Sequence, residues 1–465
     1  MKVLLLAPPA PRLRNPATAE TDLLPPKTWV PLGIAYLAGA LRAAGVNAHC
    51  HDLHGYSWEE ALELLGRERP DAVGISCFTL GRTNALRLAS LSRSVLPGVH
   101  VILGGPHATF FPAHMLSNQA VDVVVLGQAE ETIVELVRCL AKRGDVRRIR
   151  GLALRDRDEV VLTPPRTPGL DLDALSWPVY DTFDLAAYKS PEIPPQYQPL
   201  TGTHILTSRG CPFHCGFCSV NRFFDGRWAF RSPQNVADEI EALIDRFDVR
   251  HLYFSDDLFT LNRDRVIGLC REVIRRRLEF VWMAETRVDL VDRELLTWMQ
   301  RAGCYRVYYG VESGSPRILK NAGKGFTTDQ IRHAFRLTHQ AGLQPCCFLM
   351  VGNPGESLET IEETIRLIHD IRPATMPILG INTILPASAQ YDRAVALGLI
   401  SDDHWLSDAP PPLYTAEHDV DDLIYLQMML TSGIAPEAYD RMREMGFDET
   451  YFLMRRMTRP SGSRA

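Results

Sequence analysis

What the sequence lacks narrows it first. There is no excess of positive charge: Lys+Arg number 50 against Asp+Glu 56, a net charge of -6. A nucleic-acid partner would leave a basic footprint, so none is expected. No apolar run is long enough for a bilayer. The longest, Trp29 to Leu41, is broken by Pro31, Gly33 and Gly39, whereas a spanning helix needs about 20 apolar residues. The run Val3 to Ala7, followed by Pro8 and Pro9, is too short for a signal-peptide core and fits a buried strand better. Ten cysteines in 465 residues are too sparse for a disulfide framework. These absences predict a cytoplasmic protein with reduced thiols and neither a membrane nor a nucleic acid as partner. Nor is the chain disordered, since 46% of it is apolar and 23% charged, a globular composition. The length suits two or three packed units, and no internal repeat is evident.

What is present is a long alternation of short apolar runs with amphipathic segments. In residues 1–145 the runs are Val3–Ala7, Ala48–Asp52, Ala72–Ser76, Val99–Leu103 and Val121–Leu126, separated by segments with helical spacing such as Gly33–Ala44, Thr83–Val95 and Glu130–Leu140. Five strand–helix units predict an α/β, doubly wound parallel sheet of the flavodoxin or Rossmann kind. Ligands of such sheets bind at the carboxyl ends of the strands. Here those ends carry Ser76 and Thr79, Gly104 and Gly105, and the loop Gly127-Gln128-Ala129-Glu130. Ordinary turn chemistry is the plain alternative for these glycines.

Residues 146–198 are rich in proline and read as a linker draped over its neighbours. Residues 199–400 alternate again, with candidate strands His204–Thr207, His251–Ser255, Phe280–Ala284, Tyr305–Gly310, Gln344–Val351 and Ile378–Leu385. Between them lie helical faces such as Val236, Ile240, Leu243, Ile244 and Phe247, or Leu358, Ile361, Ile365 and Ile368. Six units are too few for an eight-fold barrel, so a partial (β/α)6 barrel is expected. Residues 401–465 read as a small helical appendage whose last residues, Thr458–Ala465, form a frayed end.

Three of the ten cysteines fall within eight residues: Cys211, Cys215 and Cys218, directly after the first strand of the second unit. Barrel folds place their chemistry in such loops. A zinc site usually draws pairs of ligands from two places, and no second pair is visible. An iron–sulfur cube usually takes four cysteines, so three leave one iron open for chemistry. His214, between two of the thiols, is expected to face solvent or packing rather than metal. Three ordinary core cysteines are the plain alternative.

The pattern CxxxCxΦC, with Phe217 as its aromatic, resembles the signature of the radical S-adenosylmethionine superfamily. The resemblance implies that Cys211, Cys215 and Cys218 hold a [4Fe-4S] cluster. S-adenosylmethionine would chelate the fourth iron, and one electron would cleave its sulfonium to a 5′-deoxyadenosyl radical. Further segments at successive strand ends extend the likeness over about 200–400. Asp256-Asp257 stands where the family contacts the methionine amino group, often with Gly-Gly-Glu. Arg287 is placed to pair with the methionine carboxylate. Gly310, Glu312 and Ser313 resemble the segment approaching the ribose, and Gly352 to Glu356 the segment contacting adenine. Each could equally be helix-cap chemistry.

Within that superfamily the first unit resembles the cobalamin-binding subgroup, through Pro31–Leu41, Gly104–Thr109 and the loop at Gly127. Where the family usually reads Gly-Glu-Gly-Glu, this chain has Gly-Gln-Ala-Glu. Cobalamin would therefore be held by Ser76, Thr79, Gly104, Gly105, Gly127 and Glu130. Asp52-Leu53-His54-Gly55 resembles a cobalt-ligating motif, but it follows the second strand rather than the first, and His54 is read as a surface or capping residue. The implied activity is methylation of an unactivated carbon of a small molecule, in natural-product biosynthesis, with an electron donor such as flavodoxin or ferredoxin. The second reading keeps the radical but dehydrates, deoxygenates or rearranges a polyhydroxylated, aminosugar-like substrate without cobalamin. A non-enzymatic iron–sulfur or cobalamin sensor is the third. No acid, base or hydrogen donor identifies itself. Cys346-Cys347, inside a strand, should put one thiol in the barrel lumen and one against the helices, and core packing is the expected role of both.

Overall fold

The computed structural model describes residues 1–10, 27–157, 159–167, 171–190, 193–407 and 409–437, with backbone alone at 13–14 and 22–23. The frayed end expected at Thr458–Ala465 lies outside the described residues. The first sheet is built from β1 (Lys2–Ala7), β2 (Asn47–Asp52), β3 (Ala72–Ser76), β4 (His100–Gly104), β5 (Val123–Val125), β6 (Leu152–Asp156) and β7 (Glu159–Leu162). Its order is β2-β1-β3-β4-β5-β6-β7, and the first five strands run parallel in the 2-1-3-4-5 order of flavodoxin-like sheets. Period-two alternation explains the double winding. Leu4 and Leu6 pack one face together with Leu64 and Leu88, while Val3 and Leu5 pack the other with Ile34, Leu41 and Leu136.

The proline-rich segment holds more than a linker. Leu152–Asp156 and Glu159–Leu162 form a hairpin that extends the sheet antiparallel to β5. Its second strand is exposed along its length, so no buried periodicity marks it in the sequence. Beyond it the chain does drape over its neighbours. Val179 donates its N–H to Ala35 O at 3.1 Å. The Tyr180 hydroxyl donates to Glu239 Oε1 at 3.0 Å, and that of Tyr188 to Asp52 Oδ2 at 2.9 Å.

The second sheet is β8 (Thr201–Ile205), β9 (Val249–Phe254), β10 (Val281–Thr286), β11 (Cys304–Glu312), β12 (Gln344–Val351) and β13 (Ile378–Ile381), all parallel and in sequential order. This curled six-strand half-barrel is wrapped by helices at Pro233–Phe247, Arg263–Arg276, Arg293–Arg301, Thr328–Gln340 and Leu358–Ile371. Val236, Ile240 and Leu243 face the strands as expected. Leu358 does not: it is 44% exposed, because it opens its helix directly after the cap Ser357, before the buried face begins at Thr360 and Ile361. Cys346 lies with Tyr253, Met283 and Tyr308 in the lumen, and Cys347 lies with the helix-facing core. Of the C-terminal appendage, the helix Val420–Ile434 packs on Leu358–Ile371. Among the described residues no helix is long and apolar enough to cross a membrane.

The lumen floor yields one prediction. His251 is fully buried, and its Nε2 lies 2.9 Å from the Tyr305 hydroxyl. Burial, then Arg306 and Lys189, pulls its pKa down from 6.5 to about 4. A depressed pKa means that the unfolded chain takes up the proton first, so the stabilisation is present above pH 6.5 and is lost as pH falls toward 4. Between pH 7 and pH 5 this one ring should account for about 2 kcal/mol. A thermal unfolding series should show stability falling on acidification, and His251→Gln should flatten that slope. An unchanged slope in the variant would show that His251 plays no part.

Candidate functional site

The cysteine loop is shaped by its neighbours before any metal enters. After β8, Ser208–Arg209 pairs antiparallel with Ala229–Phe230, turning the chain back on itself. Gly210 follows at φ +86°, and a Cβ there would collide with the carbonyl oxygen of Arg227, so only glycine fits. Its N–H donates to Asp257 Oδ2 at 3.1 Å. Gly216 N–H donates to Ala322 O at 2.9 Å and its carbonyl accepts from Gln390 N–H at 2.8 Å. Cys211, Cys215 and Cys218 are free and half-buried, and the other seven cysteines are free as well. Burial raises the thiol pKa of Cys211, and it pushes Cys218 up to about 11, so metal binding there releases protons. Among the described residues no three His, Cys, Asp or Glu side chains converge on a single ion. A cube has no need of that, because each thiolate binds a different iron. His214 is exposed.

The two aromatics of the loop rest on buried cations. The Arg287 guanidinium stacks 3.7 Å from the Phe213 ring centroid, and Lys324 Nζ is 5.7 Å from that of Phe217. Arg287 is not free to give its whole fork to a ligand. It donates twice to Asp289, at 2.9 Å each, and to Lys324 O at 2.6 Å, while its Nη1 is buried without a partner. Glu312, at φ +65°, forms a buried ion pair with Lys324 at 3.1 Å. Gly310 makes room for it, since a Cβ there would lie 2.9 Å from Glu312 Oε1 and 3.2 Å from Lys324 Nζ. The Ser313 hydroxyl is hydrogen-bonded to that of Thr364 at 3.2 Å.

Asp256 lies under the loop. It is buried and accepts bonds from Thr207 N–H at 3.0 Å, the Thr207 hydroxyl at 2.9 Å and the Ser208 hydroxyl at 2.5 Å. Its neighbour Asp257 is the one that lines open space, its pKa pushed up by burial to about 6. At the ends of β12 and β13, Glu356 is buried, accepts from the Thr360 hydroxyl at 2.5 Å, and is raised by burial to about 7. Beside it Asn353 Nδ2, Asn382 Oδ1 and Gln390 Oε1 are buried and unpartnered. Buried polar atoms without partners are rare in a finished core. Arg287 Nη1, at the end of β10, is a fourth such atom. Lys324, Asn382 and Gln390 stand next to no recognisable motif, so nothing in the sequence alone singles them out.

A cavity of about 450 Å³ joins the two sheets. One wall is the carboxyl end of the first sheet, with Gly74, Ser76, Gly104, Gly105, Gly127 and Glu130. The other holds Ser208, Arg209, Ser219, Phe223 and Asp257 from the cysteine loop and its surroundings. Leu5, Ile34, Ile75, Leu103 and Ile133 make its depth apolar. Thr79 does not line it; its hydroxyl lies 3.3 Å from His107 Nδ1. His54 also lies outside the lining, its backbone N–H donating to Asp52 Oδ1 at 3.0 Å in a turn after β2. The glycine cradle and apolar depth fit a large, partly apolar ligand such as cobalamin, and the three free thiols fit an iron–sulfur cube.

The chain is similar to known proteins along both units. The family model described as the radical SAM superfamily matches residues 205–368, and the B12 binding domain model matches residues 25–137. These imply a [4Fe-4S] cluster, S-adenosylmethionine and cobalamin. An uncharacterized methyltransferase of Pyrococcus horikoshii is 32% identical over 412 residues, covering 87% of this chain and 85% of that one. The anaerobic magnesium-protoporphyrin IX monomethyl ester cyclase of Rubrivivax gelatinosus is 31% identical over 360 residues, covering 74% of this chain and 63% of the cyclase. The solved structure of the radical S-adenosylmethionine methyltransferase TsrM from Kitasatospora setae, with cobalamin and a [4Fe-4S] cluster bound, shares the fold. Its TM-score is 0.68 at 20% identity, covering 85% of this chain and 76% of that one.

Proposed function

The chain belongs to the radical S-adenosylmethionine superfamily and carries a B12-binding domain, and on that premise we propose that it is a cobalamin-dependent methyltransferase acting on an unactivated carbon of a small molecule. The observation that carries this reading is the shared cavity. The ends of the first sheet and the residues flanking the cysteine loop, Ser208, Arg209 and Ser219, line one space, which supports a substrate placed between the two cofactors.

When bound, the cluster with S-adenosylmethionine supplies a carbon radical by one-electron cleavage, and cobalamin supplies a methyl group. The residues do the holding and the shielding. Cys211, Cys215 and Cys218 would each hold one iron. Arg287 Nη1, Asn353, Asn382 and Gln390 would hold the polar parts of S-adenosylmethionine, with Lys324 and Glu312 fixing the strand end beneath. Ser76, Gly104, Gly105 and Gly127 would let cobalamin approach the backbone, and Phe110, Phe223 and Phe224 would keep water from the gap. The substrate is of the kind handled in natural-product biosynthesis. The electron comes from a flavodoxin- or ferredoxin-type donor in the cytoplasm, where the thiols stay reduced.

The reduced, reconstituted enzyme should form both 5′-deoxyadenosine and S-adenosylhomocysteine when it turns over substrate with hydroxocobalamin present. Formation of 5′-deoxyadenosine alone would refute methyl transfer. It would favour the dehydration or rearrangement reading.

A further inference from the structure

The loop Gly127–Glu130 carries the departure from the subgroup's usual Gly-Glu-Gly-Glu, and its side chains turn toward the other unit. Glu130 Oε1 lies 2.6 Å from Arg209 Nη1, and the two side chains are only 11% and 12% exposed. Gln128 Oε1 accepts from the same nitrogen at 3.1 Å. The guanidinium also stands 4.8 Å from the Tyr36 ring centroid. Arg209 thus has three partners in the first unit, yet it stands two residues before Cys211.

Both ends of this contact are stiff. On the barrel side Arg209 is paired with Ala229, and Gly210 is pinned by Asp257 in a conformation only glycine accepts. On the other side Gly127, at φ +65°, donates its N–H to the Thr109 hydroxyl at 3.0 Å, and Glu130 opens the helix Glu130–Ala141. The departures from the family pattern are harmless to such a contact. Ala129 has φ -112°, which any residue adopts, and Gln128 still presents an acceptor oxygen. A buried ion pair is sensitive to the loss of either member, because the survivor is left uncompensated.

We propose that Arg209 is a positioning residue which, anchored on Glu130 and Gln128, fixes the cysteine loop relative to the cavity at the ends of the first sheet. The acidic loop then serves as a strut between the two cofactor sites. This rests on reading that cavity as the cobalamin site.

The test is a double-mutant cycle on the full chain with Arg209→Gln, Glu130→Gln, the double variant and the charge-swapped Arg209→Glu/Glu130→Arg. In enzyme carrying a reduced cluster and cob(II)alamin, the two paramagnets broaden each other's electron paramagnetic resonance signals according to their separation and orientation. Each single variant should change that broadening to the same extent, and the double variant should add nothing. The swap should restore most of it, and methyl transfer should follow, falling at least about tenfold in the single variants. Unchanged broadening in either single variant, or additive effects, would overturn the proposal. So would loss of cluster iron in Arg209→Gln that the swap leaves unrepaired, since Arg209 would then support its own loop and not the strut. Thermal unfolding of the cofactor-free variants gives an independent reading of the same coupling. If the wild type itself takes up no hydroxocobalamin, the functional reading fails, and the unfolding cycle alone decides whether the ion pair couples the two units.

Discussion

Replacing any one of Cys211, Cys215 and Cys218 by alanine should abolish the visible absorbance of the iron–sulfur cluster and reduce cleavage of S-adenosylmethionine by at least about 10³-fold, some 4 kcal/mol of lost barrier reduction. The size of the effect follows from the geometry of a cube held at three corners. Each thiolate serves a different iron, so no remaining ligand compensates for a missing one. The nearest substitute donor, His214, is exposed and its loop is pinned on either side. Folding should survive, because the loop is held by contacts that involve no thiol: Gly210 to Asp257, Gly216 to Ala322, and Gln390 to Gly216. Cys304→Ala, a buried core thiol, is the control and should keep its iron. Iron and sulfide analysis beside the cleavage assay measures both. Cleavage that persists with two of the three cysteines would remove the central claim.

The cysteine triad was legible in the sequence because its signal is local: three residues in eight, after a strand, with fixed gaps. The two sheets were legible for the related reason that burial on one or both faces writes a period of two or 3.6 into the chain. What the sequence left hidden was set by burial from both ends of the chain at once. Asp256 and Asp257 look alike in a row of letters, yet one is locked beneath Thr207 and Ser208 and the other lines the cavity. Thr79 and Ser76 stand three residues apart, and only Ser76 reaches the cavity. The hairpin Leu152–Leu162 escaped notice because its outer strand is exposed and so carries no alternation. The amides of Asn353, Asn382 and Gln390, each with one unpartnered atom, come from separate elements, and no spacing rule could gather them.

The same contrast between local and assembled features picks out the substitution that separates the two cofactor sites. Gly104→Phe should lower the affinity for hydroxocobalamin by at least about 100-fold, roughly 2.7 kcal/mol, while leaving cluster iron unchanged. Among the glycines of the cavity this one isolates volume from strain. Gly127 has φ +65° and Gly105 has φ +103° with a Cβ that would press within 2.9 Å of Cys77 O, so larger residues there would distort the backbone as well as fill space. A Cβ at Gly104 would meet only Val125, at 3.6 Å and 3.9 Å, which is ordinary contact. The ring therefore has the cavity as its free direction and would occupy the depth bounded by Ile34, Val125 and Ile133. The cysteines lie outside the cavity lining, beyond Ser208, Arg209 and Ser219 on its other wall, so S-adenosylhomocysteine and methylated product should disappear while 5′-deoxyadenosine still forms. Methylated product at the wild-type rate would show that this cavity does not hold the methyl carrier. Loss of 5′-deoxyadenosine together with the methyl product would show that the two walls cannot be perturbed separately, which is the behaviour a rigid Arg209–Glu130 strut would transmit if the ring also displaced Glu130.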